Sequence, residues 1–498
     1  MKENRINRQL LILSKEYSQA NFTWILTLLI SLVFLLNSFS FKSGDIKPYL
    51  FALFSAYFLT AIVQLFIAWR IKRDYLIHGG IRKGTRRLGY IQLVSLVTGN
   101  VFTASFALHL LIQRKTPEYT FAVYMVLTQL FVIVISAFNL FKPYVTDSFP
   151  MAMLVLVLSL VFQVSVLIIV ANTVPEGQLP KWIGFIAILT GLTAITGNLF
   201  ALLLGGSLLL KARGTDSSRI AKWDAIWEKI TRNTMAVFGM FFIILMLTIS
   251  VVSRFTFDYD LAVENDYGNI LQSPSLVYPF GTDNFGRDVF SRIIFGARIS
   301  LLVGFASTLI PAVIGGFLGG IAGYYSNRTD NWIMRLLDVL YAIPGILLAI
   351  AIIAAFGANT VNLILALSLG SIPTYARTMR ANVLMVSNYD FVDSARALGA
   401  SDFSIIFKQI IPNSLAPMIV KATLTIGGAV IATSSLSYLG LGVEPHIPEW
   451  GNILRVGSTY LESNSYLAIF PGLAIILLVL SFNFLGDGLR DALDPRLD

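Results

Sequence analysis

The stretch Asn388–Met418 reads NYDFVDSARALGASDFSIIFKQIIPNSLAPM. Ser394-Ala395-Arg396-Ala397-Leu398 is a strong helix former. Gly399 interrupts it, and Ser401 with Asp402 offers caps for a second helix over Phe403–Ile410. Pro412 is expected to stop that second helix before the next apolar run. Two short helices and a turn between two membrane runs make a protruding knob. Such a knob suits docking into a groove on a soluble partner, with Phe403, Ile406 and Phe407 as the expected apolar anchors.

Outward from this stretch the chain is dominated by apolar runs. Of its 498 residues 56% are hydrophobic and 13% charged, against about 25% charged in an ordinary soluble chain. A helix needs roughly 20 apolar residues to cross the hydrocarbon core. Twelve runs are read as spans: Trp24–Phe41, Pro48–Trp69, Gly89–Ile112, Tyr119–Phe141, Phe149–Ala171 and Trp182–Leu210, then Met235–Val252, Ser300–Tyr324, Trp332–Phe356, Val361–Ile372, Ala416–Leu439 and Tyr466–Leu485. The short run at Val361–Ile372 is expected to extend toward Arg377. The fold class is therefore all-α transmembrane, with about twelve membrane helices.

The net charge of +9 sets topology and does not point to nucleic acid. Lys and Arg gather before the first run, between the second and third (Arg70–Arg87), and between the sixth and seventh (Lys211–Arg232). Connections such as Asn172–Lys181 are poor in them. By the positive-inside bias, both termini and the knob are expected to be cytoplasmic. The polar N-terminus lacks the pattern of a cleaved signal. The chain has no cysteine and only three histidines, His78, His109 and His446, which argues against thiol chemistry or a histidine-rich metal cage.

Character changes near Lys211, so residues 1–212 read as a six-helix membrane extension and 213–498 as a second six-helix region. In the first part, Asn100, His109, Thr193 and Asn198 are expected to hydrogen-bond between helices. At the junction, Trp223, Ile226, Trp227 and Ile230 form one face of an amphipathic elbow expected on the inner leaflet. Gly315, Gly316, Gly319, Gly320 and Gly323 lie at spacings that let helices approach closely. Pro344 is expected to kink its helix. Arg335 and Asp338 are expected to pair one turn apart, and Lys421 to snorkel to the inner surface.

A second candidate site is the loop and helix start Phe280–Gly304, FGTDNFGRDVFSRIIFGARISLLVG. Gly281 and Gly286 permit tight turns around Thr282, and Asp283, Arg287, Asp288 and Arg292 can form a charge network. The loop is expected outside, near the pore mouth. It either contacts a partner or is a buried network that holds itself.

The knob resembles the coupling loop of bacterial ABC import permeases, whose pattern is E-A-A, three residues, G, nine residues, I-x-L-P. The matching positions are Asp393, Ser394, Ala395, Gly399, Ala400, Gln409, Ile411 and Pro412, with Asp in place of Glu, Ser in place of the first Ala, and Gln409 where many relatives are apolar. Three further stretches, Ile220–Met240, Phe280–Gly304 and Asn483–Leu497, are similar to the C-type subunit of the oligopeptide/dipeptide/nickel permeases. The resemblance covers about Arg213 to Asp498.

That resemblance implies a permease of the bacterial cell membrane. Its expected partners are a second homologous permease, two ATP-binding subunits and an extracytoplasmic substrate-binding lipoprotein that delivers a peptide. It also implies no cofactor or metal in this chain, with ATP and Mg held by the ATPases. The lack of a G-x-x-x-x-G-K-[ST] phosphate loop agrees with this. A nickel or other small-solute importer is the alternative. A self-sufficient secondary transporter is a further one, though it would be expected to show repeat symmetry between the two halves and ionisable midplane sites.

Overall fold

The computed structural model describes residues 2–39, 46, 48–96, 98–111, 116–174, 179–214, 217–325 and 327–494. The last residues of the Asn483–Leu497 motif and part of the Asn172–Lys181 connection lie outside these. Among the described residues the fold is helical throughout, with two isolated β-bridges, Phe39–Ile46 and Thr282–Asp288.

Among the described residues eight helices are long and apolar enough to cross a membrane, or nine if one bent pair counts as a single span. The expected twelve is therefore not the number that meets the length test. Two of the missing runs are broken. Gly89–Ile112 becomes short pieces ending in Val101–Leu111, and Trp182–Leu210 becomes Ile183–Leu192, Thr193–Thr196 and Leu199–Ala212. Each break falls at the same tripeptide, Thr98-Gly99-Asn100 and Thr196-Gly197-Asn198, with the glycine at φ 71° and 91°, a left-handed conformation that ends an α-helix. The third missing run grows to Thr360–Val386 and carries Arg377 and Arg380, which lower its apolar average.

The chain forms two compact units. One holds Met1–Val134, Leu158–Ala194 and Phe200–Thr215; the other holds Ile135–Val157, Ile195–Leu199 and Asp216–Asp498. In the first, polar side chains bond between helices as expected of Asn100, whose amide donates to Thr27 Oγ1 at 3.3 Å. Gln92 likewise donates to Gln64 at 2.9 Å. An ion pair absent from the sequence reading joins half-buried Lys211 to buried Glu118 at 2.7 Å, with Ser207 donating to the same carboxylate.

The second unit is organised around one helix, Val289–Tyr324. Its 36 residues extend about 54 Å at ~1.5 Å per residue. Its most extensive packing is against Thr360–Val386. The glycine stripe makes this possible. A Cβ on Gly315, Gly319 or Gly323 would lie 2.7, 2.1 or 2.9 Å from the carbonyl oxygens of Ile372, Ala376 and Arg380. The stripe thus works as helix packing, with backbone on backbone.

Near its other end the long helix packs in a cluster containing Ile293, Leu301, Val430, Trp450 and Phe482, and Trp450 Nε1 donates to Ile293 O at 2.9 Å. The Pro344 kink is present: Arg328–Tyr341 and Gly345–Phe356 meet at 76°. The elbow, Ser217–Arg232, turns part of its apolar face inward, because Ile226, Trp227 and Ile230 pack on Leu489 and Ala492.

Candidate functional site

The long helix carries a candidate site at each end. At its C-terminus, Tyr324 donates from its hydroxyl to Asp402 Oδ1 at 2.7 Å, which ties it to the knob. The first knob helix is Asp390–Ala397. It ends in a Schellman turn: Gly399 N donates to Arg396 O at 3.0 Å and Ala400 N to Ala395 O at 3.1 Å, with Gly399 at φ 80°. Ser401 then caps the next turn by accepting from Ser404 N. Asp393 and Arg396 pair at 3.0 Å on the solvent side, and Ser394 bonds back to Asp390 O. The first helix and the roles of Gly399 and Ser401 as turn and cap agree with this geometry.

Pro412 does not stop the second helix. The chain winds through Asp402–Ser404 and a π-helical segment, Ile405–Ile410, straight into Ile411–Tyr438. Pro412 sits where the π-helical segment passes into that last segment. The wider π turn precedes it and accommodates the register change. The knob is therefore a rigid extension of a membrane helix.

The anchors also differ from expectation. Ile406 is buried, together with Val392, Ile405 and Ile410, and the last three pack with Met379, Val383 and Val386 of the Thr360–Val386 helix. Phe407 is half-buried beside Phe403 and Phe317. The most exposed apolar residues are Leu398, 88% exposed, and Phe403, 68% exposed, with Phe391 of the first helix less so. Sequence reading missed Leu398 because it counted that residue as helix, whereas it is the C-cap at the tip.

Two membrane-proximal charges were also assigned differently. Asp338 pairs with Arg377 at 2.5 Å, not with Arg335, and Asp330 pairs with Arg380. Both acids lie on Asn327–Tyr341 and both arginines on Thr360–Val386, so these pairs hold two helices together. Lys421 does not reach for the surface; its Nζ donates to Thr374 O and Thr378 Oγ1, each at 2.6 Å.

At the N-terminus of the long helix the loop 257–288 folds into a buried polar network. Thr282 bridges to Asp288, and its hydroxyl accepts from Gln272 N at 2.8 Å. Asp283 accepts from the backbone of Phe285 and Arg287 and from Arg287 Nε at 2.8 Å. Arg292, 1% exposed, lies 3.7 Å from the same carboxylate and donates to Ala262 O at 2.7 Å. Asp288 caps the long helix by accepting from Phe290 and Ser291.

The four charges do not form one network, because Asp288 pairs instead with Lys142 at 2.5 Å, a residue the sequence reading did not single out. Gly281 and Gly286 take φ 77° and 78°. At Gly286 a Cβ would fall 1.7 Å from Asp266 O, so Gly286→Ala is expected to unfold this loop. The check is trypsin cleavage at Arg287, which should appear in the variant and be absent in the parent chain.

Beside the loop lies a cavity of about 600 Å³ lined in part by Asn284, Arg287, His446, Asn452 and Arg455. Glu449, fully buried, caps the nearby helix Trp450–Thr459, which supplies Asn452 and Arg455 to that lining, and accepts from Ser434. Burial pushes this carboxyl above its ordinary range, while hydrogen bonds from Gly451, Ser437, Asn452 and Ser434 oppose that shift. Among the described residues no cluster of His, Asp or Glu could hold a metal ion.

Within the second unit, one long helix thus joins the finger-like knob at one end to the buried charge loop at the other. Comparison with known proteins places these elements in a family. Residues 315–498 match the family described as binding-protein-dependent transport system inner membrane component, and residues 222–274 match the N-terminal membrane domain of oligopeptide transport permease C.

The glutathione transport system permease protein GsiD of Pectobacterium atrosepticum is 43% identical over 282 residues, 57% of this chain and 94% of that protein. Its counterpart from an Escherichia coli O6:K15:H31 strain is 44% identical over 275 residues, 55% of this chain and 91% of that protein. An inward-facing structure of the methionine ABC transporter MetNI aligns with 40% of this chain and 96% of its own at 20% identity and a TM-score of 0.35, too loose a likeness to carry an argument. The chain belongs to the oligopeptide/dipeptide/nickel family of ABC importer permeases, as a C-type subunit preceded by an N-terminal extension. It is an integral protein of the bacterial inner membrane and not itself an enzyme.

Proposed function

We propose that this chain forms half of the pore of an ATP-driven peptide importer and takes its power stroke through the finger Asp390–Ile410. One observation carries this reading: Leu398 and Phe403 are exposed on a finger that is otherwise welded to two membrane helices by Val392, Ile405 and Ile410. An apolar tip on a stiff support transmits a displacement instead of absorbing it.

On this reading the finger and both termini are cytoplasmic. The tip, flanked by Asp393, Arg396, Gly399 and Ala400, fits a groove on an ATPase subunit. Two such subunits hold ATP and Mg. A second, homologous permease chain completes the pore. The loop around Thr282, Asp283 and Arg287 faces out, where a substrate-binding lipoprotein presents the peptide. Closure of the ATPases moves the finger, and the Tyr324–Asp402 bond passes that motion to the long helix.

The names of the relatives, glutathione permeases, support a short peptide as cargo over nickel. The test is uptake by cells expressing this chain with its partner permease, ATPases and binding protein. ATP-dependent accumulation of labelled glutathione or dipeptide is expected. Accumulation of nickel with no peptide uptake would reassign the cargo.

A further inference from the structure

Residues 136–148 precede both family matches, which begin at residue 222. Yet they pack in the same compact unit as the permease core. They connect Pro117–Ala137 to Phe149–Thr173, and Ser136, Asn139, Lys142 and Ser148 bond to two ends of core helices.

The first end is the C-terminus of Thr234–Thr256. Its last carbonyls have no partner within their own helix. Asn139 Nδ2 donates to Thr256 O at 2.8 Å, and Ser148 Oγ to Phe255 O at 2.9 Å. Ser136 adds a bond to the Thr256 hydroxyl at 3.2 Å.

The second end is the N-terminus of the long helix. The Asp288 carboxylate is the cap there, 1% exposed. Lys142, whose side chain is fully buried, donates to it and to Ser291 Oγ at 2.6 Å. Its ammonium also lies 5.6 and 5.8 Å from the ring centroids of Phe257 and Phe290.

We infer that the connector 136–148 is a built-in docking partner of the permease core, pinned by Lys142, which closes one core helix and supplies the counter-charge for the cap of the next. A charge buried this deeply needs its partner; removing one member of such a pair strands the other without solvent. The connector therefore ties two core helices together near Asp288, at the end of the long helix opposite Tyr324.

The test uses the full chain in detergent, with melting followed by size-exclusion chromatography. Lys142→Met leaves Asp288 buried and unpaired, and should lower the melting temperature by about 5 °C or more. Asp288→Asn keeps the cap, since Asn caps as well as Asp, and removes the stranded charge. The double variant Lys142→Met/Asp288→Asn should therefore return to within about 2 °C of the parent. Should Lys142→Met not accumulate at all, the double variant should restore the folded peak. A Lys142→Met chain that melts with the parent, or a double variant no better than Lys142→Met alone, overturns the inference.

Discussion

Replacing Leu398 and Phe403 together with Asp will abolish ATP-driven uptake while leaving the chain folded and inserted. Both side chains point into solvent, at 88% and 68% exposure, so the fold loses little when they become polar. Surface changes of that kind usually stay within about 0.5 kcal/mol. In a docked groove the same residues would be central apolar anchors, each worth on the order of 2 kcal/mol. Losing both and burying two carboxylates should weaken ATPase association by at least about a thousandfold. The measurement is co-elution of the ATPase subunits with the tagged permease, alongside peptide uptake. The double variant should elute as a folded membrane protein with no ATPase attached. Ile406→Asp is the instructive contrast: Ile406 is buried, so that variant should lose the fold along with the partner.

The second large effect lies in the helix pairing. Gly319→Ala places a methyl group 2.1 Å from Ala376 O, a backbone atom that cannot turn away. The two helices must separate, which forfeits the close packing along the whole Gly315–Gly323 stripe. Overpacking typically costs 1–3 kcal/mol, and a backbone clash belongs at the top of that range, about 3 kcal/mol. Gly316→Ala is the matched control. Its added methyl would meet only Met418 Cε, at 3.6 Å, an ordinary contact. Thermal melting of the two purified variants should separate them clearly, with Gly316→Ala at or slightly above the parent chain and Gly319→Ala well below it.

Local chemistry made the finger readable. Gly399, Ser401 and the short helix before them act through neighbours in sequence, so their pattern survives without knowledge of the fold. The glycine stripe was readable for the same reason, since its three- and four-residue spacing marks one face of a helix.

What escaped depended on distance along the chain. Whether Ile406 or Leu398 is exposed depends on where Val383 and Val386 lie. Asp338 chose Arg377 over the nearer Arg335 because Thr360–Val386 runs beside it. Lys142 could not be matched to Asp288 from spacing, being 146 positions away. The broken helices had a local signal that was overlooked. Thr-Gly-Asn occurs at both breaks, and a glycine followed by a residue suited to capping is a stop-and-restart signal. Pro412 misled because a wider π turn directly before it lets the helix continue past a proline.

The account rests most heavily on the finger tip touching an ATPase. The chain has no cysteine, so Leu398→Cys creates a single attachment point for a benzophenone maleimide. Illuminating labelled membranes that contain the assembled transporter should give an adduct between this chain and an ATPase subunit. Leu398 adducts only to lipid or to an extracytoplasmic protein, in membranes where the ATPases still co-purify with the chain, would contradict it.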